Sequence, residues 1–332
     1  MPRLLQDGVN SDSGTALQWQ LALKNSGAAN MTSLYGVDAN VVGDITATAT
    51  VPWKYTNTNY SFDRREPQMN GGAAQIFDLI KLRRADAYAS MAELMEAQFW
   101  GAPSSSSDTL SLNGINYWMP CAAAVDTGTF LAAHLTGFSD VAGLDVTSAT
   151  NARWRHYTSS YGSYTKAESG SGLVDSVTQR MRKAMRKTHF MPPVSLPGYN
   201  TADNYFIGTT LNVLQRLEEA VEAQNESLGN DIASKDGQLL FRGVKMMWVP
   251  QIDSTEGGAG FKDTGGALAV NPILGINLGV LKPCFQSGEF MREEAGISST
   301  NQHNVVNAQI DSTLNIKCTD RRRLWALHFE LA

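Results

Sequence analysis

Charge is scarce in this sequence. Asp, Glu, Lys and Arg make up 18% of 332 residues, against about a quarter in an ordinary soluble domain. The polar surface is carried instead by Ser, Thr, Asn, Gln and Gly. Such a surface suits a protein that buries much of its exterior against partners, because interface cores are depleted of charge. What charge there is leans acidic: 27 Lys and Arg against 32 Asp and Glu give a formal net charge of −5. A dedicated nucleic-acid binder carries the opposite excess. Cysteine is also rare. Cys121, Cys284 and Cys318 lie far apart with no CxxC pair, which argues against thiolate zinc ligation and fits a reducing compartment. Long apolar runs are missing. The start, Met1-Pro2-Arg3-Leu4-Leu5-Gln6-Asp7, lacks the apolar stretch of a signal peptide, and no segment approaches the roughly 18 apolar residues of a membrane helix. The chain therefore reads as soluble and made in the cytoplasm.

Motifs that carry chemistry are missing too. No GxGxxG follows a strand, and neither GxxxxGK[ST] nor GxSxG occurs. Gly257-Gly258-Ala259-Gly260 and Gly265-Gly266 read as loops. His134, His156, His189, His303 and His328 never pair at i+3 or i+4, so no helical zinc site is visible. Glu218, Glu219, Glu222 and Glu226 read as a solvated helix face. Arg180, Arg182, Lys183, Arg186 and Lys187 form a basic stretch opposite Val177, Met181 and Met185. It reads either as a nucleic-acid contact or as a solvated polar face, and the net acidity of the chain favours the second. The residues nominate no catalytic group, no cofactor-binding residue and no metal ligand. A hydrolase with a dispersed Ser or Cys, His and acid stays open as a minor alternative.

What is present is an ordered series of elements. Residues 1–43, rich in Gly, Asn, Ser and Ala, read as an extended arm without a folded core. Residues 44–69 read as a hairpin-like excursion. Residues 45–51 alternate with β-branched side chains, Pro52 ends that run, and Trp53-Lys54-Tyr55 leads to a turn at Asn57-Thr58-Asn59. Tyr60-Ser61-Phe62 then runs into Asp63-Arg64-Arg65-Glu66, which serves either as a partner for opposite charges on another subunit or as an ordinary solvated turn. The clearest helix follows between Asn70-Gly71-Gly72 and Gly101-Ala102-Pro103. Ile76, Leu79, Ile80, Ala87, Met91, Leu94, Met95 and Phe99 recur at helical spacing, and about 27 residues give a rod of roughly 40 Å. Between 110 and 165 short strands are expected at 112–118, 129–131, 143–148 and 153–157. Helices are expected over 172–188 and 209–228, separated by the proline-rich 192–198. Further strands are expected at 238–241, 244–249 and 312–318. Strands on both sides of a helical middle argue for an α+β fold.

The order of these elements resembles the Hong Kong 97 type of tailed-phage major capsid protein. The residues that carry the resemblance begin with Trp53-Lys54-Tyr55 and Phe62-Asp63-Arg64-Arg65-Glu66 before the long helix, which ends Phe99-Trp100-Gly101. Gly114-Ile115-Asn116-Tyr117-Trp118 and Ala142-Gly143-Leu144-Asp145, running on to Arg153-Trp154-Arg155, come next, and Cys318-Thr319-Asp320-Arg321-Arg322-Arg323 closes the series. The resemblance spans roughly 40 to 330. It implies an N-terminal arm (1–43), an extended loop (44–72) and a spine helix (73–100). It also implies a peripheral domain (101–170 and 305–332) and an axial domain (171–304). It implies a virion protein, assembled in the host cytoplasm, whose hexamers and pentamers tile an icosahedral shell around double-stranded DNA. Such a shell holds DNA without reading its sequence, so a mildly acidic chain is acceptable. Portal, scaffold and cement proteins are the implied partners; no cofactor, enzymatic activity or membrane is implied. Candidate intersubunit contacts are Trp53, Lys54, Tyr55, Asp63, Arg64, Arg65, Glu66, Arg321, Arg322 and Arg323. A projecting hairpin cannot bury Trp53 and Tyr55 by itself, and aromatic anchors are typical interface hot spots. Some members of that family cross-link Lys to Asn; Lys54 is the one lysine of the loop, but no Asn partner stands out. The alternatives are a bacterial nanocompartment shell of the same fold, a tail-tube protein, and a nucleic-acid binder using the 180–187 stretch.

Overall fold

The computed structural model describes residues 9–11, 14–23, 29–34, 45–66, 73–124, 128–164, 168–169, 172–173, 176–188, 205–225, 239–294, 296–298 and 303–329. Two sheets and four helices organise them.

The first sheet is built on Val305–Cys318 (β16). Its even-numbered side chains Ala308, Ile310, Leu314 and Ile316 are buried, as strand alternation requires of one packed face. Lys54–Asp63 (β4) pairs with it antiparallel along its whole length, from Asp63 opposite Val305 to Lys54 opposite Leu314. On the other side β16 takes Leu281–Gln286 (β13), Arg292–Glu293 (β14) and Ile297–Ser298 (β15). Val9–Ser11 (β1) runs parallel to β13. The long helix expected over 73–100 forms as Ala73–Trp100 (α1). Ala87, Met91 and Met95 bury one side of it against Leu112, Phe285, Ile310 and Leu314. Each such methionine contributes about 2 kcal/mol of apolar burial.

The second sheet is mixed and seven-stranded. In spatial order it runs Leu240–Phe241 (β10), Val244–Trp248 (β11), Tyr205–Thr209 (β9), Ile273–Asn277 (β12), Trp325–Phe329 (β17), Tyr157–Tyr161 (β6) and Thr129–Phe130 (β5). Its central strands are buried on both faces. Tyr205, Ile207, Trp325 and Leu327 face Val177–Lys187 (α3) and Leu211–Asn225 (α4) through Met181, Met185, Val213 and Leu217. Phe206, Leu274, Ile276 and Ala326 face a larger core around Trp118 and Trp154. Asp253 Oδ2 accepts the first free amide of α4, from Leu211, at 2.8 Å, a cap supplied from a remote loop. Gly275 lets the Trp325 indole lie against the backbone, since a Cβ there would stand 1.9 Å from Trp325 Cε2. Arg242 and Gly243 both take positive φ and close the β10–β11 hairpin in the manner such two-residue turns need. Glu168–Ser169 (β7) and Gly172–Leu173 (β8) make a small ladder of their own.

Several expectations are corrected. The 44–69 excursion is not a hairpin. Thr46–Pro52 (β3) pairs with Ala16–Ala22 (β2), while β4 goes to β16. Asn57 and Asn59 are therefore not a turn: they sit mid-strand opposite Asp311 and Gln309, because pairing with a distant strand overrides their local turn preference. The arm is not without a core, since Leu17, Leu21 and Leu23 are buried. Residues 115–118 form one helical turn, Ile115–Trp118 (α2), with every side chain buried. Trp118 Nε1 donates to Asn113 O at 2.9 Å, which bends the chain locally instead of extending it. Residues 143–148 form no strand, because Asp145 Oδ1 accepts from Thr147 N and folds a turn. In the two sheets, β17 and β6 lie with β9 and β12, and β13 to β15 lie with β16.

Candidate intersubunit surface

The ten residues nominated from the sequence fall into two groups. Trp53, Lys54 and Arg321 are buried. Trp53 donates from Nε1 to Gly14 O at 2.9 Å and packs on Leu17 and Cys284. The expectation that it needs a neighbouring subunit is thus corrected: the β2 segment of its own chain covers it. Lys54 donates to Asp108 O at 2.6 Å, and burial lowers its pKa. Asp108 is pinned in turn, its carboxyl held well below the usual carboxylate range by backbone amides of Ser111, Ser104 and Leu110.

Arg321 is the most internal charge of the set. Its Nε donates to Trp118 O at 2.8 Å, Nη1 to Trp154 O at 3.0 Å, and Nη2 meets His156 Nδ1 at 3.1 Å. His156 Nε2 faces Pro120 O at 2.8 Å. A guanidinium only donates, so His156 Nδ1 is the acceptor and the ring carries its proton on Nε2. Burial, and then the Arg321 charge, lower the His156 pKa to about 3. Burial lowers that of Arg321 to about 10. This pair welds β17, α2 and the 149–154 turn together, and the sequence alone does not separate Arg321 from its two neighbours. Arg323 pairs with Asp320 at 3.2 Å. Arg322 is exposed and lies 4.6 Å from the Phe130 ring centroid.

The charges around the end of β4 are partly used internally. Arg83 grips Glu66 with two hydrogen bonds, 2.8 and 3.1 Å, and donates to Ser61 O. Asp63 Oδ1 accepts from Arg65 N at 2.8 Å. Beside them, Glu293 ties α1 to the sheet. It accepts from Tyr60 at 2.5 Å, Arg84 at 2.9 Å and Tyr88 at 3.3 Å. The Tyr60 bond foremost, then Arg84, lower the Glu293 pKa. Desolvation and that carboxylate push Tyr60 up to about 12.

What remains outward is a broad face low in charge. Tyr55 is 72% exposed, and Asn57, Asn59 and Ser61 follow it along β4, with Gln309 beside them on β16. The opposite face of these strands is the one that α1 covers. Arg64 and Arg65 are exposed at its end. Large apolar side chains are exposed as well: Met31, Leu34, Leu82, Leu110 and Ile297, with Met247 and Trp248 on β11. Exposed apolar side chains that stand singly are ordinary on a protein surface; Met247 and Trp248 are consecutive on one strand. Met247 and Trp248 were missed in the sequence. Their signal was the run Met246-Met247-Trp248, apolar on both faces of a strand near a sheet edge. A shallow cleft of about 230 Å³ is lined by Ala122, Ala123, Ala124, Asp263, His328 and Phe329 among others. Among the described residues no group of three or more His, Cys, Asp or Glu could hold a metal ion. No described helix is long and apolar enough to cross a membrane.

No protein-family model matches the chain, and no curated protein matches it. Solved structures do. The capsid asymmetric unit of cyanophage A-1(L) superposes with a TM-score of 0.63 at 13% identity, covering 98% of this chain and 91% of that one. The capsid of a native GTA particle gives 0.52 at 10% identity, covering 99% and 90%. The capsid of Myoviridae phage XM1 gives 0.50 at 10% identity, covering 98% and 91%. The likeness extends over nearly the whole of each chain. This chain has the Hong Kong 97-type capsid fold.

Proposed function

We propose that the chain is a major capsid protein of a tailed phage or a close relative, a structural and non-enzymatic subunit of the virion. Copies assemble into hexamers and pentamers that tile an icosahedral shell around double-stranded DNA. Portal, scaffold and cement proteins are its further partners, and assembly takes place in the host cytoplasm. The observation that carries the reading is the superposition on the cyanophage A-1(L) capsid unit across 98% of the chain. The surface agrees with it. Tyr55, Arg64, Arg65 and Arg322 are the nominated contacts that stay exposed, and Met247 and Trp248 join them as apolar anchors.

Particles purified from producing cells and treated with nuclease distinguish this from a nanocompartment shell. A DNA-filled shell yields duplex DNA that survives the nuclease and is released on denaturation. Shells holding a protein cargo and no protected DNA contradict the phage reading.

A further inference from the structure

Helix α3 carries a charge arrangement that its packing does not require. Val177, Met181, Ala184 and Met185 are buried against the seven-stranded sheet, and Arg180 is buried beside them. The outer face holds Arg182, Lys183, Arg186 and Lys187, all exposed, as two rows one turn apart. Like charges at i and i+4 repel. The helix C-terminus offsets this for Arg186 and Lys187 in the last turn. Arg182 and Lys183 stand a turn earlier, where that field has faded. Among the described residues no carboxylate pairs with Arg182, Arg186 or Lys187.

The patch continues past the helix. A Cβ on Gly128 would lie 2.2 Å from Tyr157 Oη and 3.3 Å from Lys183 Nζ, so the Lys183 ammonium sits over this end of β5 and β6. Phe130 packs edge-on against Tyr157 at 5.8 Å, and the exposed Arg322 guanidinium covers Phe130. Four exposed cations thus line the outer face of α3 in a chain whose net charge is −5.

We propose that this face is lumenal and contacts the phosphate backbone of the enclosed duplex DNA, an inference that rests on the shell reading above. Guanidinium and ammonium groups are the usual partners of phosphate oxygens. The two rows are about 6 Å apart along the helix, and over that length a duplex presents three to four phosphate charges, one per roughly 1.7 Å. Such contacts carry no base readout, as a shell holding any sequence needs. An acidic protein segment is the other polyanion of matching charge. Protein hot spots set Arg beside Trp and Tyr in desolvated pockets, and no exposed aromatic or large apolar side chain accompanies the cations on α3.

The test uses the full chain, unassembled, with a duplex of unrelated sequence about 30 base pairs long, titrated by fluorescence anisotropy between roughly 50 and 200 mM salt. Arg182→Gln/Arg186→Gln/Lys187→Gln is expected to weaken binding at least about tenfold at low salt and to flatten the log K against log salt slope by about two to three units. Arg182→Lys/Arg186→Lys/Lys187→Arg keeps the charge and is expected to keep both. An unchanged slope in the glutamine variant, or lost binding in the charge-preserving one, overturns the proposal. Tighter binding of poly-glutamate than of the duplex also overturns it, in favour of an acidic protein partner. Particle formation by each protein, scored in parallel by negative-stain microscopy, separates the two claims. Normal particles with equal duplex binding refute only the lumenal DNA contact. A wild-type chain that forms neither particles nor rings, with or without added scaffold protein, refutes the shell reading and the lumenal placement with it.

Discussion

Replacing Arg321 by methionine removes the buried guanidinium while filling most of its volume. Three acceptors then lose their donor: Trp118 O, Trp154 O and His156 Nδ1, bound at 2.8, 3.0 and 3.1 Å. An orphaned buried acceptor costs about 1 to 3 kcal/mol. Removing a desolvated charge offsets part of that, so Arg321→Met is expected to destabilise the unassembled chain by about 3 kcal/mol. The same contact sets a pH dependence. His156 has a folded pKa of about 3 against 6.5 when unperturbed, so between those values the unfolded chain binds the extra proton. The contribution is therefore fully present above about pH 6.5 and lost as pH falls toward about 3, with a ceiling of about 5 kcal/mol. Burial is the larger cause and Arg321 the second. In Arg321→Met the His156 pKa rises partway back, and the acid sensitivity shrinks. Urea unfolding at a series of pH values from about 7 to 4 reads both effects, alone and in combination with His156→Leu. A loss below about 1 kcal/mol at neutral pH, or a pH dependence identical to wild type, refutes this picture of the buried pair.

Gly275→Ala is expected to cost about 3 kcal/mol or more and to lower soluble yield, because the new methyl collides with the Trp325 indole; a thermal melt close to wild type contradicts that packing. Glu293→Gln should lower stability by about 1 kcal/mol at neutral pH, since the carboxylate is partly solvated. Its wild-type contribution is present above the unfolded value of 4.5 and is lost as pH falls below it, so the variant and wild type should converge in acid melts. Tyr55→Ala, at a 72% exposed position, should change the melt by less than about 0.5 kcal/mol while reducing the yield of assembled particles. Equal particle yield removes Tyr55 from the contact surface.

The parts of the fold legible in the sequence are those set by local rules. The spine helix α1 follows from a 3.6-residue apolar stripe bounded by glycines and a proline, and the β10–β11 hairpin from the Arg242-Gly243 turn. The pairing of β4 with β16 joins residues about 250 apart in sequence, and nothing local announces it. The tract Asn57-Thr58-Asn59 carries strong turn residues, and only the long partner strand makes it extended. Tertiary context also divided the candidate surface. Arg321, Arg322 and Arg323 are one composition in sequence, yet the short turn after Asp320 points the first inward and leaves the second in solvent. In sequence Trp53 reads as a projecting anchor, because its cover, Gly14 and Leu17, lies in a segment with weak periodicity.

Particle size of the purified recombinant chain tests the central claim most directly, by size-exclusion chromatography with negative-stain microscopy. Closed shells, or rings of five or six subunits, are the expected result. A chain that stays monomeric at high concentration, with or without added scaffold protein, contradicts it.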